Sequence, residues 1–171
     1  MAELWDVYDR QRRPQGRLHL RGEAMAEGDY HLVVVIWIRD DAGRFLISRR
    51  DPCKPFGLYW ETTGGSVVAG EDSLAGAARE LEEELGIRAE ALRLAGSICD
   101  EKHTHYDVYE TRWNGDAGML KLQPGEVVDA KWATFDELCA LDDRGEFVPT
   151  LRYFREWFSP ENRSGQNGFR C

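Results

Sequence analysis

Six acids crowd into the stretch from Glu71 to Glu84 (Glu71, Asp72, Glu80, Glu82, Glu83, Glu84), against a single base, Arg79. The stretch also has helical spacing. Leu74, Ala77, Ala78, Leu81 and Leu85 recur as one apolar stripe and Gly86 supplies a C-terminal cap, so Ser73 to Leu85 is expected to be a helix. At about 100° per residue, Glu80, Glu83 and Glu84 fall on one arc beside that stripe, while Glu82 points elsewhere to solvent. Two effects oppose the arc. Glu80 and Glu84 are a like-charge i,i+4 pair, unfavourable by roughly 0.2–0.5 kcal/mol. All three also sit in the last turns, where the helix dipole disfavours negative charge by about 0.3–1 kcal/mol each. A bound divalent cation reverses the sign of both effects. Carboxylates without imidazole or thiolate suit a hard ion such as Mg²⁺ or Mn²⁺. A solvated acidic face is the commoner origin of a charge run and remains the alternative at this point.

The wider spacing bears on that choice. Gly65, five residues, Glu71, seven residues, Arg79-Glu80-Leu81, one residue, Glu83-Glu84, one residue and Gly86-Ile87 resemble the Nudix box at every fixed position. The resemblance implies an α/β/α sandwich with a mixed β-sheet, and hydrolysis of a phosphoanhydride bond in a nucleoside di- or triphosphate, a nucleoside diphosphate linked to another group. It implies Mg²⁺, or Mn²⁺, held by Glu80, Glu83 and Glu84, with Glu83 or Glu84 orienting or deprotonating the attacking water. Gly64 or Gly65 would let the backbone approach the metal, and Glu71 and Arg79 would pair to fix the loop.

Family members often take a further carboxylate from a loop after the sheet. Glu126 in Pro124-Gly125-Glu126 is the candidate here, ahead of Glu110 and Asp100, with a solvent-facing acid as the plain alternative. Arg49 and Arg50 at a strand end could grip phosphate, unless one only pairs with Asp51. Tyr59 and Trp60 could stack on a base, although core packing is the more frequent fate of such aromatics. His103 and His105 on one strand face would suit zinc only with a third ligand, and none is in view.

These residues need elements to hold them. Short strands are expected at Leu4 to Asp9 and Arg17 to Arg21. The β-branched run His31 to Ile38 reads as a strand buried on both faces, paired as a hairpin with Phe45 to Ser48. Leu58 to Thr63 should run extended into Gly64-Gly65. Further strands are expected at Leu92 to Asp100, Thr104 to Trp113 and Val127 to Ala133. Thr134 and Glu137 form a capping box for a short helix. Val148-Pro149-Thr150 opens a last helix with Leu151, Phe154 and Trp157 or Phe158 on its apolar face. Residues 1–158 are thus expected to be one α+β domain, with a flexible tail over 159–171.

Composition narrows the function classes. A net charge of −9 argues against a long nucleic-acid partner, which leaves a small nucleotide as the expected one. No apolar run is long enough to span a membrane and no export signal opens the chain, so a cytoplasmic location is expected. Cys53, Cys99, Cys139 and Cys171 are widely spaced and read as reduced thiols rather than as a zinc site or disulfide framework.

Two rivals come from other classes. The stretches around Trp5, His19 and His31 also resemble isopentenyl-diphosphate isomerase, which places a cysteine and a metal-binding histidine shortly after the tryptophan that is here Trp60. This chain has Glu61-Thr-Thr-Gly-Gly-Ser66 there instead. The second rival is a catalytically silent binding or regulatory module of the same fold, against which the complete acidic set counts. Incubation with isopentenyl diphosphate and Mg²⁺ should therefore give no dimethylallyl isomer by NMR. Isomer formation at an enzymatic rate would overturn this reading of residues 60–66.

Overall fold

The computed structural model describes residues 3–100 and 103–159. Its centre is β3 (His31–Arg39), whose successive side chains alternate between two cores. Leu32, Val34, Ile36 and Ile38 pack on one face, Val35 and Trp37 on the other. Beyond a turn at Asp40 to Gly43, β4 (Phe45–Arg50) pairs back through Ile38–Leu46 and Arg39–Phe45 only. The two strands then part. The segment holding β5 (Trp60–Glu61) and β6 (Thr63–Ser66) enters between them, β5 pairing with β4 and β6 with β3. Gly65 and Gly64 thereby lie opposite Val34 and Val35.

On its other edge β3 runs parallel to β8 (Thr104–Arg112) from His31–Thr104 to Arg39–Arg112, and β7 (Arg93–Cys99) continues antiparallel to β8. The outer edge of β4 takes β9 (Val127–Ala133). The sheet is therefore mixed, with helices on both faces. Helix α1 (Ser73–Leu85) packs Ala77, Leu81 and Leu85 against one face. Helices α2 (Phe135–Asp143) and α3 (Phe154–Trp157) cover the other with Leu138, Leu141, Phe154 and Trp157. This is the α/β/α sandwich with a mixed sheet.

Helix α1 spans the residues expected. Asp72 caps it by accepting from the Ala75 N–H at 2.8 Å, and Gly86 closes it at φ 70°. Its buried stripe is narrower than expected. Leu74 and Ala78 are exposed, and Gly76 faces inward beside Ala77 instead. The expected last helix is a 3₁₀ turn (Pro149–Leu151) followed by the single turn of α3, and this break lets Leu151, Phe154, Trp157 and Phe158 all reach the core. The expectation of thiols throughout is corrected at Cys99, which is disulfide-bonded; Cys53 and Cys139 are free. Apart from Ser159, the expected tail lies outside the described residues.

Ahead of the sandwich, β1 (Leu4–Tyr8) and β2 (Pro14–Leu20) form a two-stranded hairpin. Three of its ties to the rest stand out. Tyr8 and Tyr30 exchange both backbone hydrogen bonds at 2.8 Å. Trp5 stacks on His31 at 4.1 Å between ring centroids; burial pushes that imidazole down to about 4 and keeps it neutral. The Arg12 guanidinium forks onto the carboxylate of Asp107, a buried β8 residue that also accepts from Ser97 at 2.6 Å and from Ser73 at the head of α1.

Burial alone would push Asp107 up, but the hydrogen bonds from Arg12, Ser73 and Ser97 outweigh it and hold the carboxyl below its usual range. A carboxyl lowered in the folded state contributes stability that is present above its unfolded pKa of about 3.9 and lost as pH falls through the folded value. Arg12→Met removes the charge partner while leaving Asp107 buried. It should destabilise the protein by about 3 kcal/mol at pH 7. The deficit should shrink as pH approaches about 4, since the unpaired carboxyl then takes up a proton. Urea unfolding of both proteins at the two pH values tests this, and equal stability at pH 7 would refute the anchor.

Candidate active site

The site forms where β6 passes over α1. At Gly65 a Cβ would lie 2.3–2.5 Å from the Glu80 carboxylate, so the missing side chain is what gives that acid its place. At Gly64 a Cβ would lie 2.4 Å from the Val34 carbonyl oxygen, so only glycine fits the strand there. Arg79 then ties loop to helix. Its Nε and Nη2 donate to Glu71 at 3.0 Å each, Nη2 to the Ser66 carbonyl at 3.0 Å, and Nη1 to Glu80 at 2.8 Å and Glu83 at 3.1 Å. The Glu71–Arg79 pair expected from the sequence is present, and Arg79 holds two of the three helix acids besides.

Glu84 is different. It is only 7% exposed, and burial raises its carboxyl well above the usual carboxylate range, aided by the charges of Glu61 and Glu80. Lys54 and a hydrogen bond from the Gly64 N–H offset part of this. Glu80 is also raised, by burial against the opposing pull of Arg79. Glu83 is half exposed, at 49%. Glu82 turns out to solvent and meets Arg88 at 2.6 Å. The helical arc thus separates the four acids as expected from the sequence.

A cavity of about 340 Å³ opens over these groups, lined by Glu80, Glu83, Glu84, Lys54, Gln123 and Glu126 among others. Glu126 lies at the cleft, whereas the runners-up do not: Glu110 is bound by Arg39 and Arg93 at 2.9 and 2.8 Å, and Asp100 accepts from Thr104 and Tyr106. The arginines behave differently from expectation. Arg49 is no part of the cleft lining; its Nε donates to the Leu58 carbonyl and its guanidinium lies over the Trp60 ring. Arg50 does line the cleft, yet it pairs with Glu61 at 2.6 Å and holds the Pro55 carbonyl at 2.7 Å. Neither pairs with Asp51, whose side chain caps the Cys53 N–H.

Sequence reasoning missed Glu61 and Lys54. Glu61, raised by burial against the charges of Arg50 and Lys54, is a fourth acid beside Glu84. Lys54 makes an ion pair with Glu126 across the cleft, and burial lowers its ammonium below the usual lysine range. Its position two residues after Pro52 in a loop was the only signal, and it is a weak one. Trp60 is buried in the core, as the plain reading of that aromatic had it. The two histidines do not share a strand face. His103 sits ahead of β8 at φ 70° and His105 is fully buried, each ring held by a backbone carbonyl.

Among the described residues, no three His, Cys, Asp or Glu side chains converge as a ready metal site. Arg79 stands between Glu80 and Glu83 instead. The donor set nonetheless fits a hard cation: all oxygen, partly buried, with carboxylates crowded beside Glu84 and glycine backbone alongside.

The comparisons with known proteins agree with this geometry. The NUDIX domain model matches residues 29–158. An uncharacterized Nudix hydrolase of Listeria monocytogenes is 35% identical over 166 residues, covering 94% of this chain and 96% of its own. One from Pseudomonas aeruginosa is 42% identical over 134 residues, 77% and 78% of the two chains. Among solved structures, a protein of Deinococcus radiodurans superposes with a TM-score of 0.73 at 26% identity, over 85% of this chain and 92% of that one. A MutT protein of Methanosarcina mazei gives 0.67 at 27%, over 79% and 96%. The chain belongs to the Nudix hydrolase family, enzymes that generally use divalent metal ions to hydrolyse pyrophosphate bonds of nucleoside derivatives.

Proposed function

We propose that the protein is a Mg²⁺-dependent hydrolase, with Mn²⁺ as an alternative ion, that cleaves a phosphoanhydride bond of a nucleoside di- or triphosphate by attack of water on phosphorus. The observation that carries this reading is the buried Glu84 beside Glu61 and Glu80, under a glycine strand that leaves their carboxylates room. Glu80, Glu83 and Glu84 would hold the cation. When bound, it neutralises charge on the phosphate oxygens and lowers the pKa of water.

The chain's own groups do the rest. Glu83 or Glu84 orients the attacking water and takes its proton, with Glu126 as a further carboxylate at the cleft rim. Lys54, between Glu84 and Glu126, supplies positive charge for a phosphate oxygen. Arg79 fixes the loop and restrains Glu80 and Glu83. Arg50 braces the Asp51–Leu58 loop. The hairpin ahead of residue 29 belongs to the same working domain over residues 1–158, since Glu3 and Arg21 also line the cleft. A small nucleotide as partner goes with the charge of −9, and a cytoplasmic setting is part of the same proposal. Among the described residues, no helix is long and apolar enough to cross a membrane.

Glu84→Gln keeps shape and hydrogen bonding while removing a charge. It should lower the Mg²⁺-dependent rate by about 10²–10³. A raised carboxyl contributes stability that is full below its unfolded pKa and lost as pH rises through the folded value. The metal-free variant should therefore melt at or above the wild-type temperature at pH 7 to 8. Gly65→Ala should fold but lose activity, since its Cβ displaces the Glu80 carboxylate. Glu82→Gln should keep nearly full activity. Initial rates beside metal-free melting curves check all three. Full wild-type activity in excess chelator, or Glu82→Gln as the inactive variant, would sink the assignment.

A further inference from the structure

A second cavity, of about 260 Å³, adjoins the carboxylate cleft and shares Val33, Arg50, Pro55 and Gly64 with it. Its character differs: Phe56, Tyr106, Val148 and Leu151 make its walls mostly apolar. Phe56 is the unusual member. It is 47% exposed and sits at φ 55°, a left-handed conformation that a bulky side chain rarely adopts. Leu58, two residues on, is held at φ 67°. Between them a Cβ on Gly57 would lie 2.6 Å from the Pro52 carbonyl oxygen.

The loop does not drift into this shape. Arg50 grips the Pro55 carbonyl, Arg49 grips the Leu58 carbonyl, and the Asp51 N–H donates to Glu126 at 2.9 Å. Two arginines and a backbone bond thus hold an exposed ring at the mouth of a cavity beside the proposed phosphate site. Strain maintained by its surroundings in this way marks functional loops.

We propose that this cavity is the subsite for the nucleobase of the substrate, with Phe56 as its stacking face; this rests on the hydrolase reading above. The polar side chains at the cavity favour a base and ribose over a hydrocarbon tail, because a tail would cover the Arg50–Glu61 pair without replacing its water. Thr62 and Tyr106 are also turned to the protein. Thr62 donates to the Ile36 carbonyl and Tyr106 to Asp100. The base is therefore read by its flat face more than by its edge, and different bases are accepted.

The test uses the full chain in Mg²⁺ and calorimetric binding of adenosine and cytidine α,β-methylene diphosphates, with methylenediphosphonate as the base-free probe. Phe56→Ala and Phe56→Leu should weaken both nucleotide analogues about five- to a hundredfold, the range of one lost base–aromatic stack. Binding of methylenediphosphonate should not change, and Phe56→Trp should restore the nucleotides. Equal binding by wild type and variants overturns the subsite. So do equal losses for the base-free probe, wild-type affinity for neither nucleotide, or tighter binding of isopentenyl diphosphate than of the adenosine analogue. Base-dependent binding without any nucleotide hydrolysis would instead sink the hydrolase reading and leave the subsite standing.

Discussion

Several carboxylates share one partly buried cleft, and Arg79 is what makes that tolerable. Placed in a low dielectric without partners, such acids would repel one another and take up protons. The guanidinium offers its donors in a rigid fork, reaching Glu71, Glu80, Glu83 and the Ser66 carbonyl at once. A lysine could supply the charge but not that geometry. The box loop, the register of β6 on β3 and the direction of α1 all meet at this one side chain. Glu84 alone among the arc acids gets no help from it, and it is the one whose ionisation is most strongly resisted.

The cleft also depends on a parting of strands. β3 and β4 pair through only two residue pairs before they diverge, and the segment from Trp60 to Ser66 fills the gap. This brings Glu61 from one half of that segment and the two glycines from the other to the same helix. The loop from Asp51 to Leu58 then closes the side, carrying Lys54 to the acids and Phe56 to the apolar cavity.

What was legible in the sequence follows from what is local. Helix α1 could be read to the residue because its apolar period and the Gly86 cap act on adjacent backbone. The buried strand β3 showed in its unbroken β-branched run, and Thr134 with Glu137 announced α2. Features set by distant partners were not legible. Leu74 fits the helical period as well as Leu81 does, but no period says which of its positions a distant element covers. Arg50 looked like a free cation until Glu61, reached through strand pairing, took it up. Lys54 could not be placed from a loop sequence alone. The bond at Cys99 likewise has no local signature.

The parallel pairing of β3 with β8 joins residues 73 positions apart, as at His31 and Thr104. A contact of such sequence separation closes late, after the loop entropy between its ends has been overcome. During synthesis α1 leaves the ribosome before β8 does, so its acids first meet water rather than the cleft. Asp107, the β8 residue that receives Ser73 and Arg12, arrives last of that trio. Arg12 and the head of the acid helix both wait for it. The carboxylate cleft, whose lining reaches as far along the chain as Glu126, is thus a late product of folding.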